Sequence, residues 1–351
     1  MNIHEKYINR CIQLAKNGLG TTYPNPLVGS VIVYKDKIIG EGWHYQAGRP
    51  HAEVNAINSV QNKSLLPDAT IYVSLEPCSH FGKTPPCSDL IINENIKNVV
   101  VGTIDPFAKV AGKGIKKLVE AGCKVTVGIL EDECKQLNKR FFTFHEKKRP
   151  YIVLKWAESI DGYVSPSASM RQENIPQPYW ISNKFSKQLV HKWRSQEQAI
   201  LVGTKTVLSD NPSLTTREWY GTSPLRILID KTLQIPEDFC MMDGKTPTIV
   251  FTALNKDSTK ENLSFKKISF DQPMILQILS ELYQRGIQSL IVEGGSYTLQ
   301  KFIDEGLWDE ARVFTGATVF KTGTSAPLIS GKLTAKKNII TDDLTVWRNT
   351  L

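Results

Sequence analysis

Three side chains that can bind a metal do most to constrain the fold of this 351-residue chain. His51 stands at the start of a predicted helix, Cys78 follows a predicted buried strand at 70–75, and Cys87 stands at the start of a further helix. The fold must bring these three positions together if they form one site. One histidine and two cysteines suit a tetrahedral Zn²⁺ with an open fourth position, which is the ligand pattern of catalytic zinc.

A glutamate stands two residues after the histidine. On a regular helix, residues two apart point about 200° apart, so His51 and Glu53 can converge on one metal only at the irregular first turn. His-x-Glu followed by Pro-Cys-x-x-Cys marks the zinc nucleobase deaminases, in which the glutamate is the general acid and base. This sequence differs, because eight residues rather than two separate Cys78 from Cys87. We expect the inserted loop to lie over the metal.

Strands and helices alternate along residues 1–146, which predicts a mostly parallel sheet covered by helices on both faces. A hairpin formed by strands near 28–34 and 38–45 makes that sheet mixed. A basic stretch that ends in a proline, 147–150, marks a boundary. The alternation restarts after it, so we expect two α/β domains, at 1–146 and 150–351. No internal repeat relates them.

Composition narrows the possible functions. The net charge of +8 suits an anionic ligand such as a phosphate ester, or nucleic acid, but the sequence has no arginine-rich arm and no basic stripe. The six cysteines are scattered and no secretion signal precedes them, so we expect no disulfide framework. The sequence contains no run of 18 apolar residues, which is the length that a membrane-spanning helix needs. We expect a cytoplasmic protein.

Four segments of the first half carry a resemblance to a known family: 22–29 (TYPNPLVG), 40–44 (GEGWH), 50–54 (PHAEV) and 75–87 (LEPCSHFGKTPPC). They resemble the bifunctional riboflavin-biosynthesis family, in which a pyrimidine deaminase is fused to a reductase. The long insert between the cysteines distinguishes this family from cytidine, guanine and tRNA adenosine deaminases. The resemblance implies a cytidine-deaminase-like fold. It also implies that the pyrimidine and its ribose phosphate are held by Asn25, His44, His80 and Lys83.

In the second half, a glycine pair follows a predicted strand and precedes a helix, at 292–296 (VEGGS). Paired glycines let a phosphate approach backbone N–H groups at the positive end of a helix. No Gly-x-Gly-x-x-Gly follows a strand, so the Rossmann dinucleotide fingerprint is absent from the sequence. The pattern predicts a different phosphate-binding device.

The family resemblance extends through the second half, at 154–162, 180–182, 203–212, 214–217 and 293–295. It implies a dihydrofolate-reductase-like α/β domain that uses NADPH. The residues implied to contact NADPH are Ala157, Trp180, Thr206, Asp210, Gly295, Ser296 and Thr298. Those implied to contact the substrate are Arg194, Leu214, Arg217 and Glu293, of which the arginines form a natural phosphate clamp. Lys155 is the candidate catalytic residue for charge near the reacting carbon.

One position departs from the family pattern. Pro178 stands where the family usually has a serine. The resemblance therefore supplies no hydroxyl contact to substrate at that position. In addition, no single residue identifies the 2′-phosphate that separates NADPH from NADH.

Together with the metal-ligand pattern, the resemblance implies a two-step enzyme that uses Zn²⁺ and NADPH. It hydrolyses the C2 amine of 2,5-diamino-6-(5-phosphoribosylamino)pyrimidin-4-one and then reduces the ribosyl chain, giving 5-amino-6-(5-phosphoribitylamino)uracil. We expect a small phosphorylated pyrimidine as the partner, with no nucleic acid and no membrane, and a homo-oligomer is compatible with the sequence.

Two alternatives remain open. One is a nucleoside or tRNA deaminase with an unrelated appended domain, which the long insert and the lack of a basic stripe disfavour. The other is a non-catalytic zinc module that binds nucleic acid. Glu53 and the missing fourth protein ligand disfavour that second alternative.

Overall fold

The computed structural model describes residues 2–79, 85–107, 111–167, 170 and 176–350. The chain divides into two compact units, Met1–Lys148 and Arg149–Leu351. Across the described part of the chain, no helix combines the length and the apolar character needed to cross a membrane.

The first unit is built on a five-stranded mixed sheet with the order β2-β1-β3-β4-β5. Its strands are β1 (Gly29–Tyr34), β2 (Lys37–Trp43), β3 (Thr70–Leu75), β4 (Asn98–Thr103) and β5 (Lys124–Val127). Its helices are α1 (Ile3–Ala15), α2 (Ala52–Ser59), α3 (Cys87–Asn93), α4 (Lys113–Glu120), α5 (Glu131–Leu137) and α6 (Lys139–Lys147). β1 runs antiparallel to β2 and β3, whereas β3, β4 and β5 are parallel. The predicted mixed sheet is confirmed.

Helices cover both faces of this sheet, as predicted. Val31 and Tyr72 pack with α1 and α5, while Ile32 and Ile71 pack with α2, α3 and α4. Because successive strand residues point to opposite faces, the nearly continuous burial of β1 and β3 follows directly from this two-sided cover.

A break separates the last two helices of the first unit. Two helices, α5 and α6, meet at Asn138, whose φ of −99° and ψ of 21° interrupt the regular helix. The Asn138 carboxamide accepts a hydrogen bond from the Leu27 N–H at 2.8 Å and donates one to the Leu27 carbonyl at 2.9 Å. These long-range bonds attach the chain segment next to Asn25 to the helix pair.

The second unit contains a nine-stranded sheet with the order β11-β10-β9-β8-β12-β6-β13-β16-β15, and β7 pairs with β14. The strands are β6 (Tyr151–Ser159), β7 (Tyr163–Pro166), β8 (Ala199–Gly203), β9 (Leu225–Ile229), β10 (Thr248–Thr252), β11 (Leu263–Lys267), β12 (Ser289–Val292), β13 (Glu310–Gly316), β14 (Gly323–Ser325), β15 (Lys332–Ile339) and β16 (Asp342–Arg348). The helices are α7 (Lys184–Gln196), α8 (Thr204–Asp210), α9 (Met274–Gln284) and α10 (Ser296–Asp304).

The first seven strands in this sheet order, from β11 at the edge through β13, are parallel to one another. The last two, β16 and β15, pair antiparallel to their neighbours. α7 and α8 pack on one face, while α9 and α10 pack on the other. The carboxyl ends of β8, β12 and β6 lie side by side. In open α/β sheets ligands bind at this edge, so it is where the predicted cofactor and substrate residues should meet.

Candidate functional site

The three predicted metal ligands converge in the first unit. His51 is the N-cap of α2 with an extended backbone, Cys78 follows β3, and Cys87 begins α3. His51 Nδ1 lies 3.6 Å from Cys78 Sγ and 3.3 Å from Cys87 Sγ. The usual Zn–N and Zn–S bond lengths in a tetrahedral site place ligand nitrogen and sulfur about 3.6 Å apart. The donor set and its spacing therefore fit zinc.

Glu53 lies in the first turn of α2 beside these ligands and is 3% exposed. Burial, together with the nearby Cys78 sulfur, raises the pKa of the Glu53 carboxyl to about 7, although His51 opposes the shift. The irregular helix start expected from the His-x-Glu spacing is present. A buried carboxyl beside an open metal position has the placement needed to move a proton.

The two thiols differ in their tendency to ionise. A hydrogen bond from Cys87 lowers the pKa of Cys78 to about 4, against the effect of burial and with help from His51. The same contact, with burial, raises the pKa of Cys87. The first thiolate therefore forms at Cys78, and the thiolate is the form that binds metal.

Asn25 and His44 lie next to the metal ligands. His44 Nδ1 is 3.1 Å from the Pro50 carbonyl, so this nitrogen donates, and Nε2 accepts from Asn25 Nδ2 at 3.0 Å. The His44 and His51 rings meet edge to face at 5.4 Å. Burial is the main cause of the lowered pKa of His44. The other two implied substrate residues, His80 and Lys83, lie outside the described residues.

Sequence reasoning missed Glu76, which stands two residues before Cys78 and is buried. Its carboxylate accepts hydrogen bonds from four backbone N–H groups, those of Asp105, Gly112, Gly114 and Ile115. A Cβ on Gly114 would lie 2.0 Å from the Pro77 carbonyl oxygen, so glycine permits this close approach. Glu76 thus attaches the start of α4 to the segment that carries Cys78. The Leu-Glu-Pro-Cys motif contains the residue but does not indicate these partners.

In the second unit, Glu293 follows β12, and its carboxylate pairs with two positively charged side chains. Arg194 Nε and Nη2 donate to its two oxygens at 2.9 and 2.7 Å, and Lys155 Nζ lies 3.6 Å from Oε2. Burial raises the pKa of Glu293, but Arg194 and Lys155 together outweigh it and lower the pKa to about 2. Burial also lowers the pKa of Lys155, against the effect of Glu293. The structure brings these three predicted residues together.

The predicted substrate segment 214–217 lies against the same group. Arg194 Nη1 donates to the Thr215 carbonyl at 3.3 Å, and Arg217 Nη1 donates to Ser213 Oγ and Thr215 Oγ1. The Leu214 side chain is buried in the hydrophobic core and its φ is 53°. A ligand could therefore contact Leu214 only through its main chain. The Arg217 side chain, by contrast, is exposed.

The carboxyl ends of β8 and β12 lie close to the start of α10, where the implied cofactor residues are found. The Gly203 N–H donates to the Gly294 carbonyl at 3.1 Å, and a Cβ on Gly203 would lie 2.6 Å from Thr298 Oγ1. Gly295 is the N-cap of α10, and a Cβ there would lie 2.9 Å from Thr206 Oγ1. The first N–H groups of a helix have no partner within that helix, and at α10 they lie beside two threonine hydroxyls and a residue without a Cβ. This arrangement fits the phosphates of a dinucleotide.

The remaining implied cofactor residues lie in α10, β6, α8 and the segment before α7. Ser296 begins α10 and donates from Oγ to the Ser325 carbonyl at 2.7 Å. Ala157 is a partly buried residue of β6, and Asp210 ends α8. Trp180 is 56% exposed, with Lys187 Nζ 3.6 Å from its ring centre. These positions stay predictions for cofactor contact.

Comparisons with known proteins agree with this geometry. The cytidine and deoxycytidylate deaminase zinc-binding region matches residues 1–103, and the RibD C-terminal domain matches residues 150–342. Riboflavin biosynthesis protein RibD of Aquifex aeolicus is 41% identical over 332 residues, covering 92% of this chain and 89% of that protein. RibD of Bacillus amyloliquefaciens is 42% identical over 339 residues, covering 94% and 89%.

A solved structure is similar along the whole chain. It is a diaminohydroxyphosphoribosylaminopyrimidine deaminase/5-amino-6-(5-phosphoribosylamino)uracil reductase from Thermotoga maritima. It is 36% identical, covers 99% of each chain and has a TM-score of 0.88. The match therefore includes both units.

The fold and the two sites define a two-domain α/β enzyme that joins a zinc-binding deaminase to a reductase. The chain belongs to the riboflavin biosynthesis protein RibD family. It is a bifunctional enzyme of riboflavin biosynthesis, with deaminase and reductase activities and with zinc and NADPH as cofactors. Neither a deaminase with an unrelated appended domain nor a non-catalytic zinc module is favoured, since the RibD similarity spans both halves.

Proposed function

We propose that His51, Cys78 and Cys87 bind the zinc and that Glu53 carries protons in the first reaction. The substrate is 2,5-diamino-6-(5-phosphoribosylamino)pyrimidin-4-one, in keeping with the activity named for the Thermotoga relative. The observation that carries this proposal is the convergence of the three ligand atoms beside one buried carboxylate.

The first reaction replaces an amine by oxygen. Bound zinc supplies Lewis acidity, which lowers the pKa of a water molecule toward neutrality. The Glu53 carboxylate accepts a proton from the water that attacks C2 and delivers it to the departing nitrogen, so that ammonia leaves as the carbon–nitrogen bond breaks. Asn25 and His44 orient the pyrimidine, with His80 and Lys83 assigned to the ring and ribose phosphate by resemblance alone.

The second reaction converts the ribosyl group to ribityl by addition of a hydride and a proton. NADPH would supply the hydride, and the turn at Gly295 with the start of α10 would hold its phosphates. Arg194 and Arg217 bind the substrate phosphate, because a guanidinium can bind it through two N–H groups. Lys155 is held beside Glu293 and carries positive charge at the reacting carbon.

The cytoplasmic location, the absence of nucleic-acid binding and the homo-oligomer stay predictions. They rest on the sequence alone. A test of the zinc ligands is more direct, because it needs no substrate.

Metal analysis of purified variants tests the zinc site independently of activity. We expect about one zinc per parent chain and little in Cys78→Ser or Cys87→Ser, because a three-ligand site loses a thiolate. Cys240→Ser is the matched control, since Cys240 lies in the second unit. Zinc retained in full by both site variants would exclude this assignment.

A further inference from the structure

One helix of the second unit holds the segment that carries Arg217. His191 on α7 is 4% exposed, and its Nδ1 accepts a hydrogen bond from the Arg217 backbone N–H at 3.1 Å. One turn later on α7, Arg194 donates to the Thr215 carbonyl at 3.3 Å. Residues three apart lie on the same face of a helix, so α7 contacts the segment at two points.

Most other bonds of this segment join residues close in sequence, and Arg226 Nη1 also donates to the Ser213 carbonyl at 3.3 Å. The guanidinium of Arg217 reaches back to Ser213 and Thr215, which are part of the same segment. Thr216 N–H donates to Ser223 Oγ at 3.1 Å, and Ser223 lies only seven residues away. The bond to His191 joins residues 26 apart in sequence, and it attaches the backbone of Arg217 to α7, which packs on one face of the sheet.

The bond depends on the protonation state of His191. A nitrogen that accepts an N–H must carry a lone pair, so Nδ1 is unprotonated and the proton of the neutral ring is on Nε2. Nε2 lies 3.8 Å from Glu218 Oε1. A protonated imidazole carries N–H on both nitrogens, so it opposes the Arg217 N–H instead of accepting from it.

The groups around His191 favour the neutral ring. Arg194 faces it from α7, Arg217 and Glu218 from the loop, and Glu293 from the end of β12. Burial lowers the pKa of His191 most, the two arginines lower it further, and the two carboxylates oppose this. Because the pKa lies below the ordinary value of 6.5, the ring is neutral at neutral pH and the bond is present.

We propose that His191 is a positioning residue for reduction, whose neutral imidazole holds the Arg217 backbone so that the two arginines face the substrate phosphate together. This inference rests on the proposed role of Arg217 as a phosphate ligand. In this role His191 acts through the Arg217 backbone rather than through a contact of its own with substrate or cofactor. Its loss should therefore weaken binding of the phosphorylated pyrimidine more than it slows hydride transfer.

Three variants of the full-length enzyme separate the possibilities. His191→Leu removes the acceptor, His191→Asn offers an oxygen acceptor that does not titrate, and Arg217→Ala removes the proposed phosphate ligand. The measurements are kcat and KM for reduction of the deaminated substrate at saturating NADPH, from about pH 5 to 8. NADPH affinity and thermal denaturation of each variant report whether the second unit is folded.

We expect His191→Leu to raise KM at pH 8 by about three- to tenfold, the value of one hydrogen bond, with a smaller change in kcat. His191→Asn should restore much of the loss. In the parent, KM should rise as the pH falls through the pKa of His191, because protonation removes the bond. The substrate phosphate titrates in the same range in every protein. The additional rise of KM at low pH in the parent, compared with His191→Asn, therefore measures the effect of protonating His191.

The proposal is overturned if His191→Leu keeps the parental KM, or if the parent and His191→Asn share one pH profile. If His191→Leu does not fold, the comparison of the parent with His191→Asn still decides. Failure of the underlying assignment looks different, because Arg217→Ala would then keep the parental KM. A raised KM in Arg217→Ala with a parental KM in both His191 variants excludes the positioning role alone.

Discussion

Two buried glutamates show how neighbouring residues determine the role of one side chain. Burial raises the pKa of Glu53 to about 7, whereas at Glu293 two cations outweigh burial and lower the pKa to about 2. A carboxyl that titrates near neutral pH can exchange protons, and one that stays ionised holds positive groups in place. These two behaviours match the roles proposed for Glu53 in proton transfer and for Glu293 in holding Arg194 and Lys155.

Replacement of Glu53 by glutamine separates proton transfer from metal binding. The amide keeps the size of the side chain but cannot carry the proton, so deamination should fall by about 10²- to 10⁴-fold. Zinc content should stay at the parental level, because Glu53 is not among the three ligands. Ammonia release and metal analysis on the same preparation test both statements. Near-parental deamination would show that Glu53 is not the proton carrier.

Glu293→Gln should reduce the stability of the second unit in a pH-dependent way. The pKa of Glu293 is lowered from 4.5 to about 2, so its stabilising contribution is complete above pH 4.5 and is lost as pH falls through about 2. The difference corresponds to stability on the order of 3 kcal/mol. Thermal denaturation across this range should show a shallower acid dependence in the variant. The exposed Glu305→Gln is the control, and equal slopes in all three proteins would contradict the account.

At the scale of elements, local signals predicted what local sequence controls. The hairpin, the buried strand at 70–75 and the helix starts at His51 and Cys87 are where the periodicity and prolines indicated. The break at Asn138 and the bonds of Glu76 depend on partners distant in sequence. No periodicity indicates such partners, so these features could not be predicted.

Sequence analysis also missed the antiparallel end of the second sheet. β15 is exposed along most of its length and carries lysines at an edge, so it lacks the apolar pattern of a strand. The short helix α8 follows β8 directly, and no separate periodic signal marks it. Both elements form because neighbouring strands and the sheet face provide partners.

The start of α7 offers a test at this scale. Asn183 Oδ1 accepts hydrogen bonds from the Phe185 and Ser186 N–H groups, and its amide donates to the Ile339 carbonyl. Asn183→Ala should destabilise the second unit by about 0.5–2 kcal/mol. Asn183→Ser keeps a cap acceptor and should lose less. Denaturant unfolding measures both, and equal loss in the two variants would show that the cap is not the cause.

At the scale of the whole molecule, each unit contains its own set of reactive groups. Within the described residues, the His-Cys-Cys metal group lies in Met1–Lys148, and the Gly294–Gly295 turn with Arg194 and Glu293 lies in Arg149–Leu351. Short, contiguous motifs predicted the metal group and the glycine turn, whereas Arg194 and Glu293 were predicted from the family resemblance. The positions of Asn25 and His44 beside the metal came from family resemblance, since nothing in their spacing indicates the contact.

The central claim is that one chain performs two independent reactions. The direct measurement supplies the diaminopyrimidinone phosphate and its deaminated product separately to Glu53→Gln and Arg217→Ala, and follows ammonia release and NADPH absorbance. Glu53→Gln should reduce the deaminated substrate at the parental rate. Arg217→Ala should deaminate normally but lose about ten- to hundredfold in kcat/KM for reduction, since a charge-assisted contact contributes about 1.5–3 kcal/mol. If folded Glu53→Gln fails to reduce the deaminated substrate, the two sites share machinery and the account is wrong.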